Sequence, residues 1–180
     1  IIEEVSCGEA SEFRWDHSGS RPKILYYVEE CRFMEYDLAT GQSRTVHDFL
    51  ADFPGCGRII NDVEGDSSAD SGTWAWMVQG VYDGADYPML AVIAYDKQTD
   101  AITGTLDLAR YQALGGQGPA LPRPNMVDVS PSGAKVVVLW PRTDRQDIFD
   151  GPHAYAPDFS APSTVCNDET HSGWATDAAG

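Results

Sequence analysis

Apolar and polar positions alternate along this chain in short bursts broken by turn residues, the pattern of half-buried strands. Residues 12–16 alternate, and His17, Ser18, Gly19 and Pro22 then mark a turn. Residues 23–28 carry Ile24, Leu25, Tyr26, Tyr27 and Val28, side chains suited to a pleated strand. Within 31–37, Phe33 and Glu35 fall on one face and Arg32, Met34 and Tyr36 on the other. A tight connection at 38–41 lets 43–49 return as a strand, so four short strands make a meander.

The phrase recurs. Tyr36, Asp37 and Thr40 have counterparts in Tyr95, Asp96 and Thr99, fifty-nine residues on, where Gly41 meets Asp100 and Asp48 meets Asp107. The strand at 24–28 has a partner at 74–78, and the second unit is longer, because residues 80–88 add a loop. A third start lies at 125–140 and a fourth at 171–180, with turn glycines Gly19, Gly72, Gly133 and Gly180 spaced by 53, 61 and 47 residues. Repetition of a four-stranded unit at such a period predicts an all-β fold, a β-propeller. The expected units are 12–60, 61–122 and 123–170, with the start of a fourth at 171–180. Residues 111–124, rich in Gly and Pro, read as a surface loop after one helical turn at 106–111, and not as a domain boundary.

Two motifs carry a family resemblance. Ser130-Pro131-Ser132-Gly133 before the apolar run 136–138 resembles the S-P-D-G blade start of TolB-like and WD40-like β-propellers, with Ser132 in place of the usual Asp. Tyr36-Asp37-Leu38-Ala39-Thr40-Gly41 resembles the Y-D-x-x-T-G turn between the outer strands of the same blades. The resemblance implies about three four-stranded blades and the beginning of another. Propellers close with about four to eight blades, so the chain is expected to be a fragment of a larger propeller.

Charge narrows the partners. Twelve basic and twenty-eight acidic residues among 180 give a net charge of −16. That balance argues against a nucleic-acid backbone or an anionic membrane surface as partner. It leaves a cation, a basic partner or a neutral sugar-like ligand, or plain solubility. No apolar run is long enough to span a membrane, and no leader is visible before Ile1. Cys7, Cys31, Cys56 and Cys166 form no C-x-x-C pair. Three pairings are open to them, or none if they are buried thiols; an even count in such a chain suits an extracytoplasmic, oxidising location.

Candidate chemistry is sparse. Asp62, Glu64, Asp66 and Asp70 set carboxylates at relative positions 1, 3, 5 and 9, a spacing that resembles the D-x-D-G-D-G-x-x-D calcium loops of some propellers, with Glu64 and Ser67 as departures. The same residues also read as a solvated turn before a strand. His171, just ahead of Trp174, resembles the channel-facing histidines of propeller polysaccharide lyases such as oligogalacturonate lyases, which use a metal held by His. Trp74 and Trp76 share a strand face, and with Trp174 they are candidate platforms for a sugar ring; packing between sheets also calls for large aromatics. No G-x-S-x-G elbow, H-E-x-x-H or phosphate loop is present. Three functions stay open: a propeller binding a small molecule, carbohydrate or protein at its channel mouth; a metal-assisted polysaccharide lyase or hydrolase; and a purely structural or interaction propeller. The lyase requires His171 and at least two further His, Gln or carboxylate groups to converge.

Overall fold

The computed structural model describes residues 10–16, 18–21, 23–60, 67–68, 70–141, 151–160 and 163–164. Their strands form three antiparallel four-stranded sheets, each in simple chain order. Sheet 1 holds β1 (Ala10–Trp15), β2 (Ile24–Glu29), β3 (Arg32–Asp37) and β4 (Gln42–Asp48). Sheet 2 holds β5 (Cys56–Ile60), β6 (Thr73–Gly80), β7 (Met89–Asp96) and β8 (Ala101–Asp107). A short helix, α1 (Leu108–Ala113), leads toward sheet 3, made of β9 (Met126–Val129), β10 (Val136–Trp140), β11 (Gly151–Tyr155) and β12 (Ser163–Thr164).

Two expected boundaries move. Residues 56–60 are expected to close the first unit, but as β5 they are the first strand of sheet 2, so in sequence the acidic stretch 61–72 falls between two strands of one sheet. The helix begins two residues later than expected: Leu106 is a buried strand residue, and Asp107 caps the helix by accepting a hydrogen bond from Arg110 N at 2.8 Å. The expected fourth start at 171–180 lies outside the described residues.

Sheet 2 is buried on both faces, and strand alternation decides which side chain goes where. Trp74, Trp76, Val78, Ile93 and Tyr95 pack toward sheet 1 against Tyr26, Val28, Phe33 and Phe49. Ala75, Met77, Val92 and Ala94 pack toward sheet 3 against Val127, Val129, Val136, Val138 and Trp140. At Gly104 the carbonyl of Pro157 approaches so closely that no side chain fits.

The repeat is visible in backbone hydrogen bonds. Ser130 N bonds to Lys135 O at 2.9 Å and Gly133 N to Ser130 O at 2.8 Å; in sheet 2, Ser68 N bonds to Thr73 O and Ser71 N to Ser68 O, both at 2.8 Å. Ser71, with φ of 55°, therefore stands where Gly19 (72°) and Gly133 (73°) stand, and Gly72 is one position past the left-handed site. Asp70 occupies the Asp position of the S-P-D-G phrase. Likewise Asp100, at φ 52°, replaces Gly41, at 71°.

Candidate functional site

The predicted sugar platform is closed. Trp74 and Trp76 are 1% and 0% exposed, stacked on each other at 5.6 Å, with Phe33 at 4.8 and 4.9 Å from their rings. Neither ring offers a face to a ligand; both hold sheet 1 to sheet 2. Trp74 Nε1 donates to Ser71 O at 2.9 Å, which ties the strand to its turn. Trp174, His171, Asp62, Glu64 and Asp66 lie outside the described residues, as do Cys7 and Cys166. Asp70 is described, and its Oδ1 is committed to the turn, accepting from Ser68 Oγ at 2.5 Å and Gly72 N at 2.9 Å. Those two bonds hold its carboxyl below the usual range. Among the described residues no group of three or more His, Cys, Asp or Glu is placed to hold a metal ion.

Because the sheets are meanders, each blade has two ends. One end carries the β1–β2 and β3–β4 turns and their counterparts, and the two buried acids described there are paired within the protein. Glu35, buried on β3, receives bidentate bonds from Arg21 (2.8 and 2.6 Å) and Arg44 (3.0 and 2.9 Å). Burial alone would raise its pKa, but the two guanidiniums outweigh burial and hold it low. Asp16, also buried, accepts from Tyr26 Oη at 3.0 Å, and Lys97 from sheet 2 donates to that same hydroxyl at 2.7 Å. Burial lowers the Lys97 pKa, with Asp16 and Glu35 opposing the shift. This is a satisfied network between two sheets.

The opposite end is different. There Cys31, in the β2–β3 turn, is bonded to Cys56, the first residue of β5, with Cα atoms 6.2 Å apart. Of the pairings open in the sequence, this one joins two sheets. Next to it β5 bulges at Gly57, where the backbone of Gly80 comes so near that a Cβ would meet its carbonyl oxygen at 2.5 Å. Residues 81–88 form the loop that follows. Gly80 N closes it by bonding to Pro88 O at 2.8 Å, and Asp83 Oδ1 accepts from Ala85 N at 2.9 Å and Asp86 N at 3.0 Å. The loop displays Val81 at 66% and Tyr82 at 52% exposure and folds Tyr87 beneath Arg58 of β5.

Arg58 is held on two sides. Its Cζ lies 3.7 Å from the Tyr87 ring centroid, and its Nε donates to Gln79 Oε1 at 2.8 Å. Gln79 is fully buried, and its Nε2 has no hydrogen-bond partner among the described residues. Such an unpaired donor costs about 1–3 kcal/mol. The donor-only Arg58 fixes which end of the amide faces it, so the unpaired group accompanies the orientation of the guanidinium. No carboxylate among the described residues lies within ion-pair distance of Arg58. Tyr82 adjoins Tyr87, ring centroids 5.2 Å apart. An oriented, half-buried guanidinium beside an exposed aromatic ring can receive a planar anion and the flat or apolar group attached to it. None of these four residues was singled out in the sequence. The available signal was the insertion at 80–88, since loops added to one repeat gather on one face.

Sheet order, meander topology and repeated turns together define β-propeller blades. In shape the chain is similar to an oligogalacturonate lyase solved in complex with manganese, with TM-score 0.50 and 11% identity over 81% of this chain and 38% of that one. It is also similar to TolB from Acinetobacter baumannii, with TM-score 0.45 and 14% identity over 88% of this chain and 32% of that one. At 11% identity the likeness to the lyase speaks to fold alone, and this chain spans under two fifths of either protein. No protein-family model and no curated protein matches the sequence.

Proposed function

We propose that the chain is part of an extracytoplasmic β-propeller whose work is binding, with its ligand seated at the cystine end of the blades. The observation that carries this reading is Arg58, oriented by Gln79 and Tyr87 with no carboxylate partner described, in a chain where twenty-eight residues are acidic. The Cys31–Cys56 bond supports the oxidising location. Ligand classes consistent with the surface are a small molecule, a sugar-like compound or a protein. The test is a binding screen read by tyrosine fluorescence and amide shifts. A ligand that perturbs Tyr82, Tyr87 and Arg58 supports the reading, and one that perturbs only the opposite turns refutes it. The lyase alternative is tested in the same samples by turnover of acidic oligosaccharides with and without added manganese. A cation at Asp62, Glu64, Asp66 and Asp70 is tested by melting with and without chelator: a falling midpoint supports it, and an unchanged midpoint disposes of it.

A further inference from the structure

The ligand class can be narrowed, resting on the reading that Arg58 marks the binding end. Arg58 is the attractive centre, but Asp83 and Asp86 stand on the same loop, and the whole chain carries −16. A polyanion approaching Arg58 meets both the local carboxylates and the long-range field. A single carboxylate on an otherwise neutral or basic segment meets only the first few ångströms of that field and is then paired by a guanidinium already held in place. Exposed Val81 and Tyr82 add apolar and aromatic area beside it, and Tyr and Arg are the side chains that anchor protein partners.

We infer that this end binds a polypeptide segment presenting one carboxylate to Arg58, an apolar side chain to Tyr82 and Val81, and a basic residue to the rim formed by Asp83 and Asp86. Gln79 is a positioning residue: it fixes the guanidinium plane and touches no ligand itself. The ligand's chemistry is therefore a mixed-charge peptide, and an acidic oligosaccharide is the competing class that the same experiment can expose.

The experiment uses the full chain, immobilised in its oxidised form, to select from a displayed library of random twelve-residue peptides. The winning peptide is then synthesised with its Asp, Glu or terminal carboxylate intact or converted to the amide. Affinity is expected to fall about 10- to 100-fold on that conversion and by a similar factor in Arg58→Met, with Arg58→Lys intermediate because it keeps charge but not the planar fork. Gln79→Leu should weaken the acid peptide while leaving the amide peptide unchanged, a split that lost packing alone would not give. Added salt should weaken the peptide and strengthen any binding of a uronate trisaccharide. Thermal midpoints of the variants serve as the fold control. Equal affinity for acid and amide peptides, Arg58→Met binding like the unaltered protein, or no peptide selected at all overturns the inference. So does a trisaccharide that binds more tightly than the peptide and depends on Arg58, though that outcome keeps the binding end. A ligand seated solely at the opposite turns removes the wider reading as well.

Discussion

The two ends of these blades treat charge in opposite ways. At the turn end, Asp16 and Glu35 are buried and each is answered: one by Tyr26 and Lys97, the other by Arg21 and Arg44. At the cystine end, among the described residues, the oriented Arg58 has no carboxylate partner and the buried Gln79 Nε2 no hydrogen-bond partner, and Tyr82 stands in solvent. A buried charge that is fully paired supports packing and register; a held group with unused donors has room for something else. That difference between the ends is what favours the cystine end for the proposed binding.

The largest effect is expected from unlinking the cystine. Replacing both Cys31 and Cys56 with Ala frees a crosslink across 25 residues and should cost about 3–4 kcal/mol on the loop-entropy relation, read as a lower denaturant midpoint. If stability is unchanged, the cystine end is held by other means.

Next comes the turn end. Removing both Arg21 and Arg44 as Ala strands the buried Glu35 carboxylate and should cost about 2–3 kcal/mol at neutral pH, discounted for the exposure of the two arginines. The sign with pH is fixed. Glu35 is held below its ordinary value of 4.5, so its contribution is present above that pH and lost as pH falls through the lower folded value. The gap between the protein and the double variant should therefore close as pH drops below 4.5; a gap that stays constant contradicts the pairing.

A smaller effect belongs to His47, on β4. Its Nδ1 faces Asp100 Oδ1 at 2.7 Å and its Nε2 faces Asp52 Oδ2 at 2.8 Å, while its ring packs on Phe49 and Tyr95. Both nitrogens must donate to satisfy both carboxylates. Burial lowers the pKa, but the bonds from Asp52 and Asp100 outweigh it and raise it above 6.5. A raised histidine stabilises fully below its unfolded pKa and loses that contribution as pH rises through the folded one. His47→Gln should cost about 0.5–1 kcal/mol at pH 5.5, less above pH 7, measured by urea melts across that range. Arg58→Met removes the donor to the buried Gln79 Oε1 and should cost about 1 kcal/mol, read by the thermal midpoint, while weakening the selected peptide about 10- to 100-fold.

Much of the fold was legible because strand alternation and turn chemistry are local. The fifty-nine-residue offset pairs Asp37 with Asp96, and each accepts backbone hydrogen bonds within its own turn. The second unit's start is harder to place from sequence, because glycine is the usual marker of the left-handed position, whereas here Ser71 holds it. The site was much less legible. Trp74 and Trp76 were recognised as sharing a face, but only the packing of sheet 1 shows that the face is covered. Arg58 is 21 residues from Gln79, and it meets Gln79 and Tyr87 through a bulge at Gly57 and a closed loop at 80–88, features that no period records.

The most direct measurement is amide hydrogen exchange of the oxidised protein, free and saturated with the peptide selected on it. New protection is expected at 56–60 and 79–88, with none at 18–21 or 38–41. Protection confined to those turns, with 79–88 unchanged, would contradict the assignment of binding to the cystine end.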